Sequence, residues 1–311
     1  MILVTGAGGF LGSHLVEHFK SIGLNVVPLY HASEVKILHN RWEADLSRID
    51  HILKLCEAAQ TPQTVIHLAG HIDISLKANP VSPLMPPIPG KEDIPELYLA
   101  NVLTTANILD YCLNKGVKRI LYASSQAVYG IPSDEILTEE SACMPLEHYA
   151  VSKLCGEYLL KAGSHQGLAV IVLRFPGLYG ENRTKGIVYQ FCKSALQTEK
   201  INVDTDIPLP LDVIYIDDVI NAFEKAVHYR GENWICLNIS TGEPCNLNLL
   251  ADSIAELIPG CKVEHAAIPQ PVVCMDSSKA HAVLNWQAVP RCERLSSMIK
   301  KIRRAPFPTM K

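Results

Sequence analysis

The chain has 311 residues, 48% of them hydrophobic and 19% charged, and a formal net charge of −4. That length suits one large α/β unit with a smaller companion, since single cores stop growing near roughly 250 to 300 residues. The mild negative charge offers no basic field to a nucleic acid, and no stretch approaches the roughly 20 apolar residues that a membrane helix requires.

From the N-terminus, short apolar runs alternate with amphipathic segments. Residues 2–5, 25–29, 65–69, 119–124 and 168–175 read as buried strands, and residues 11–22, 100–115 and 149–162 as helices. Parallel strands need crossover helices on both faces, so the order predicts a Rossmann-like, doubly wound parallel sheet of the α/β class. Residues 80–95 contain six prolines, which excludes a regular helix there. The segment from Gly70 to Leu97 reads as a lid or specificity loop, with a plain surface insertion as the alternative.

Past Gly180 the pattern predicts a helix at 187–197, a Pro-rich stretch at 207–211, a strand at 213–216 and a helix at 218–228. A strand at 234–239, a turn at 242–244 and a helix at 247–257 follow. The expected division is a dinucleotide-binding domain over 1–180, with 212–240 returning to it, and a smaller α/β substrate lobe over 181–211 and 241–311. The basic cluster Lys300, Lys301, Arg303 and Arg304 reads as a solvated helix end. Met1 leads straight into the first strand with no leader pattern, and the ten cysteines are scattered without metal-ligand spacing. These features predict a cytoplasmic protein with free thiols and no structural metal.

Two motifs carry chemistry. Val4-Thr-Gly-Ala-Gly-Gly-Phe-Leu-Gly-Ser13 places Gly6, Gly9 and Gly12 between the first strand and the first helix. Those positions serve a tight turn, backbone approach to a pyrophosphate and close helix-to-strand packing. Tyr149-Ala-Val-Ser-Lys153 puts a phenol and an ammonium on one helix face. A free tyrosine has a pKa of about 10 and a neighbouring cation lowers it, which suits proton exchange with a substrate hydroxyl. An isolated Y-x-x-x-K is common on solvated helices, so its companion matters. Ala123-Ser-Ser-Gln-Ala-Val-Tyr-Gly130 follows a strand at the C-terminal sheet edge, where such sheets bind ligands.

In spacing and order these segments resemble the extended short-chain dehydrogenase/reductase family, and within it the NAD-dependent epimerase/dehydratases of nucleotide-sugar metabolism. Val65-Ile-His-Leu-Ala-Gly70 looks like the family's fourth-strand motif, Asp45-Leu46 like its adenine-contacting pair, and Asn101 like its central-helix asparagine. Asp212-Val-Ile-Tyr-Ile-Asp-Asp-Val219, Leu237-Asn-Ile-Ser-Thr-Gly242 and Asp276-Ser-Ser-Lys-Ala280 resemble its C-terminal landmarks.

The resemblance implies a catalytic triad. Ser125 would hold the carbonyl or alkoxide oxygen, Tyr149 would handle the proton, and Lys153 would bind the nicotinamide ribose and lower the tyrosine pKa. It implies cofactor contacts from Gly6, Gly9, Phe10, Leu11, Gly12, Tyr30, His31, Asp45, Leu46, Leu68, Ala69, Gly70, Asn101, Ala123, Ser124, Tyr149, Lys153, Phe175 and Pro176. Substrate contacts would come from Ser125, Gln126 and Gly177. It also implies a nucleotide-sugar substrate and a homodimer formed through the helices at 100–115 and 149–162.

The cofactor's phosphate state is read at the end of the second strand, where NAD enzymes usually present a carboxylate. That position falls on Tyr30 or His31, neither acidic, and Glu34 is the nearest carboxylate. NADP meets no obvious repulsion, and His31, Ser33, Lys36 or Arg41 are available to its phosphate, so this reading favours NADP over NAD.

Three departures narrow the chemistry. Gln126 and Ala127 stand where dehydratases carry an acidic pair, which disfavours elimination of water. Gly177 stands where the family usually has asparagine. Leu211 occupies the place of a diphosphate-binding arginine, and no arginine lies between Gly231 and Gln287, leaving Arg183, Lys185, Lys200 or backbone amides for a diphosphate. The expected function is epimerisation of a nucleotide-activated sugar through a 4-keto-type intermediate. Ketone reduction is the alternative, and a non-catalytic dinucleotide sensor or scaffold a further one.

Overall fold

The computed structural model describes residues 1–71, 94–131, 136–181, 183–184, 186–205 and 210–304. Most of the Pro-rich segment assigned to a lid, residues 72–93, lies outside the described residues, as does Lys185.

The first half runs β1 (Ile2–Thr5), α1 (Phe10–Ser21), β2 (Val26–Tyr30), β3 (Lys36–Ile37), β4 (Trp42–Glu43), α2 (Ile49–Cys56) and β5 (Thr64–His67). Then come α3 (Ile94–Tyr98), one π turn at Leu99–Leu103, α4 (Thr104–Lys115), β6 (Arg119–Ser125), β7 (Ile136–Leu137), α5 (His148–Ser164) and β8 (Ala169–Phe175). The remainder is β9 (Gly177–Tyr179), α6 (Ile187–Thr198), β10 (Lys200–Asn202), β11 (Val213–Tyr215), α7 (Ile216–Val227), β12 (Trp234–Asn238), α8 (Leu247–Glu256), β13 (Lys262–Glu264), β14 (Cys274–Met275), α9 (Ser278–Leu284) and α10 (Arg291–Arg304).

Eight strands form one sheet in the order β12-β8-β6-β5-β1-β2-β4-β3, parallel except where β3 meets β4. This is the doubly wound α/β sheet that the alternating pattern predicts. The strands read as continuous apolar runs because both faces are covered. Ile2 and Val4 of β1, Leu121 of β6 and Ile171 of β8 face one core layer with Leu15 and Phe19 of α1 and Phe223 of α7. Their neighbours Leu3, Ile120 and Val170 face the other layer, with Ile52 of α2 and Ile108 of α4. The strand period of two thus sorts adjacent residues into opposite layers.

Two features depart from the sequence pattern. The helix expected at 100–115 is entered through α3 and the π turn. The strand expected at 213–216 does not join the main sheet: β11 pairs with β9 in a two-stranded sheet of its own, whereas β12 pairs with β8. Pro176 separates β8 from β9, and without an N–H it cannot carry the main ladder onward.

Candidate active site

The C-terminal ends of β1, β2, β5, β6 and β8 lie along one sheet edge, on both sides of the reversal in strand order at β1 and β5. Gly6 follows β1 with φ +67°, and a Cβ there would stand 2.7 Å from the Ala69 nitrogen. A Cβ on Gly12 would stand 2.2 Å from the Gly6 carbonyl oxygen, so this turn of α1 packs against the loop as only glycine permits. Helix α1 starts at Phe10 with no side-chain cap, which leaves first-turn N–H groups for a ligand's phosphates. This uncapped, side-chain-free cradle fits a dinucleotide.

Beside the loop, a hydrogen-bond chain fixes a histidine tautomer. Thr105 Oγ1 donates to the Asn101 carbonyl at 2.5 Å, so it accepts from His67 Nε2 at 3.1 Å. His67 Nδ1 is then the acceptor of the Thr5 hydroxyl at 2.8 Å, and Thr5 Oγ1 in turn accepts from the backbone N–H groups of Leu68 and Ala69. Burial, aided by the Lys153 charge, pushes the His67 pKa down to about 3, which keeps the ring neutral. Leu68, Ala69 and Gly70 are thereby tied to the glycine loop.

Tyr30 ends β2 and His31 follows it, and the Tyr30 ring carries the Arg41 guanidinium 4.4 Å from its centroid. The preference for NADP gains no support at this end of the site. Arg41 is paired with Glu43 at 2.8 Å and Lys36 with the same carboxylate at 3.8 Å, while exposed His31 stands 4.0 Å from Asp45. Asp45 itself accepts from the Ser47 N–H and hydroxyl, and Leu46 is buried with its carbonyl bonded to Asn107.

At the other end, Ser125 closes β6 and caps the short 3-10 turn Gln126–Tyr129 by accepting from the Ala127 N–H at 3.2 Å. Tyr149 and Lys153 sit one turn apart on α5. The Ser125 side chain is close enough to pull the Tyr149 phenol's pKa down, and Lys153 Nζ lies 5.9 Å from the Tyr149 ring centroid and donates to the Ala123 carbonyl at 3.1 Å. Asn101, in the π turn, bonds both backbone groups of His71 and donates to Ser152 at 2.9 Å, which links it to α5. The geometry therefore brings Ser125, Tyr149 and Lys153 together.

The electrostatics differ from the sequence expectation. Burial pushes the Tyr149 phenol up to about 12, against downward pulls from the Ser125 hydrogen bond and the Arg183 charge. Lys153 is pushed down to about 8 by burial, with Glu157 acting in the opposite direction. In the chain without cofactor, desolvation outweighs the neighbouring cations, so the phenol is not lowered as the Tyr149 to Lys153 spacing alone suggests.

Beneath this site lies a buried network absent from the sequence reading. Glu157 receives Arg174 Nε at 2.9 Å and Nη2 at 2.6 Å, and the Ser124 hydroxyl at 2.5 Å. The Ser124 side chain is thus committed to Glu157. Arg174 continues to Tyr129 and thence to Asn238 of β12. The signal for Glu157 was its place four residues after Lys153 on the same helix face. Arg174 carried none, because its partner lies on another element.

Phe175 is a core residue packed edge-on against Phe223, Pro176 is buried, and Gly177 is exposed with its N–H donated to the Asp212 carbonyl at 3.1 Å. Lys200 is paired with Glu264 at 2.6 Å. A cavity of about 290 Å³ opens between α6 and the end of β10, lined by Ile187, Gln190, Phe191, Asn202 and Val203 among others. Among the described residues, no group of three or more His, Cys, Asp or Glu side chains is placed to hold a metal. No helix among them is long and apolar enough to cross a membrane.

The sequence model of the NAD dependent epimerase/dehydratase family matches residues 2–83 and 88–237, the stretch that builds this edge. The chain belongs to that family. A putative UDP-glucose 4-epimerase of Methanocaldococcus jannaschii is 29% identical over 82% of this chain and 81% of its own length. A dTDP-4-dehydro-6-deoxyglucose reductase of Escherichia coli is 26% identical over 97% of both chains. Among solved structures, MoeE5 in complex with UDP-glucose and NAD superposes with a TM-score of 0.77 at 29% identity, covering 97% of this chain and 98% of that one. The same protein has been solved with UDP-glucuronic acid and NAD.

Proposed function

We propose that this family member is an NAD-dependent epimerase of a nucleotide-activated sugar, working through Ser125, Tyr149 and Lys153. The observation that carries the reading is the meeting of those side chains at the end of β6, on the sheet edge shared with the glycine loop. NAD in place of NADP is favoured by the pairing of Arg41 and Lys36 with Glu43 and by the NAD in the MoeE5 complexes. When bound, the dinucleotide supplies hydride acceptance and return.

Within that reading, Tyr149 takes the proton of the sugar hydroxyl as the C–H bond is broken and gives it back when the ketone is reduced. Ser125 donates a hydrogen bond to the same oxygen. Lys153, with its Nζ 5.9 Å from the Tyr149 ring centroid, supplies positive charge on the same helix face for the proton exchange. Gln126 and Gly177 flank the sugar, and the cavity by Phe191 suits the flat base of the nucleotide. The glycine-loop part, residues 1–180 with 212–240, holds the dinucleotide, and the rest of the chain holds the substrate.

A specific likeness favours a second reading, ketone reduction, because the Escherichia coli reductase aligns over nearly the whole chain. Incubating the NAD-loaded protein with UDP-glucose and UDP-glucuronic acid, and following the sugars by proton NMR, separates the readings. Interconversion of configuration without accumulating NADH is the expected result. Turnover only with a 4-keto sugar and added NADPH or NADH would establish the reductase. No turnover of any sugar alongside tight dinucleotide binding would leave a sensor or scaffold.

A further inference from the structure

We propose that Arg183 holds the anionic oxygens of the substrate, standing in for the arginines this chain lacks at Leu211 and between Gly231 and Gln287. The inference rests on the nucleotide-sugar reading above. Arg183 lies in the segment between β9 and α6, half-buried, with its N–H donated to the Gly180 carbonyl at 3.2 Å. Its guanidinium lies over the ring of Phe10, the residue that opens α1, at 5.4 Å from the centroid. Gly180 permits this arrangement, since a Cβ there would stand 3.3 Å from the same ring.

The cation is placed at a junction. On one side it reaches the dinucleotide loop through Phe10, and on another its charge acts on the Tyr149 phenol. The chain then passes through Gly186 into Ile187, which lines the cavity beside α6. A substrate with its sugar at Tyr149 and its base in that cavity passes this guanidinium. The neighbouring arginines are committed: Arg174 to Glu157, Arg291 to Asp212, and Arg294 to Asp217 and Asp218. Arg183, by contrast, makes no ion pair with a carboxylate among the described residues. A partly desolvated guanidinium with no counter-ion among the described residues is costly in the free protein, and a bound anion relieves that cost. Contact with the Phe10 ring positions the guanidinium without using its N–H donors, which a guanidinium can offer to paired oxygens. Both a diphosphate and a carboxylate on the sugar ring present such oxygens.

The test measures the affinity of the NAD-loaded protein for UDP, UDP-glucose and UDP-glucuronic acid by calorimetry, in the wild type, Arg183→Gln and Arg183→Lys. The glutamine variant is expected to bind about 10- to 100-fold more weakly, the loss of a charge-assisted contact, and the lysine variant to fall between. Weakening of all three ligands alike identifies the diphosphate as the source of the anion. Weakening confined to UDP-glucuronic acid identifies the ring carboxylate. Unchanged affinity for all three in Arg183→Gln overturns the inference while leaving the nucleotide-sugar reading intact. An equal loss of NAD affinity also overturns it, because the guanidinium would then serve the cofactor. A wild-type protein that binds none of the three overturns the nucleotide-sugar reading and this inference with it. Melting temperature reports the folding of each variant, and the lysine variant alone suffices if the glutamine variant does not fold.

Discussion

Replacing Tyr149 by phenylalanine removes the hydroxyl that meets Ser125 and leaves the ring. Turnover is expected to fall by about 10² or more with NAD affinity near that of the wild type, and Ser125→Ala to cost less. Wild-type turnover in Tyr149→Phe would remove the proton relay from the proposed mechanism. Lys153 adds a pH signature. Its pKa falls from 10.5 in the unfolded chain to about 8 when buried, so between those values the unfolded chain binds more protons than the folded one. Stability of the cofactor-free protein therefore gains a contribution as pH rises from about 8 to 10.5, and loses it as pH falls back through 8. Thermal melts across that range should show this rise in the wild type and not in Lys153→Met. Glu157→Gln leaves Arg174 buried without its charge partner and is expected to destabilise the protein by about 3 to 5 kcal/mol in denaturant unfolding.

Between elements, close approach is made by glycine. A Cβ on Gly156 would stand 2.3 Å from the Tyr122 hydroxyl, so α5 rests on β6 at this point. Gly156→Ala should displace α5, and with it Tyr149 and Lys153, from Ser125. The expected result is a fall in kcat with little change in NAD affinity. Gly12→Ala acts at the other end, since its Cβ would collide with the Gly6 carbonyl, and should abolish NAD binding as followed by fluorescence. Opposite results in these two variants would contradict the assignment of loop and helix. At this scale the sequence was most legible. Strands such as β1 and β8 are buried on both faces and announce themselves by the apolar runs Ile2 to Val4 and Ala169 to Leu173. Strands β3, β4, β7 and β14 span two residues each and carry too few side chains to show a period.

At the scale of the whole molecule, α4 and α5 pack side by side. Leu99 and Leu103 of the π turn that leads into α4, and Tyr158 of α5, remain 49%, 36% and 63% exposed. A homodimer that covers this flank is the proposal. Light scattering of the wild type should give twice the chain mass, and Leu103→Asp with Tyr158→Glu should give a monomer. A monomeric wild type at micromolar concentration would end it.

What could be read along the chain was whatever a few neighbouring residues encode. The three glycines after β1, the Tyr149 to Lys153 spacing and the alternation of apolar runs each express a local backbone or face requirement, and they led to the sheet, the family and the cluster at the end of β6. Folding set the quantities that depend on partners far apart in sequence. Burial drives the Tyr149 phenol upward and places Arg183 where its charge pulls it down. Glu157 finds Arg174 across an element boundary, Arg41 pairs with Glu43, and Pro176 diverts β9 and β11 into a separate sheet. Charge and desolvation act through space, and the order of residues along the chain does not state which groups share that space.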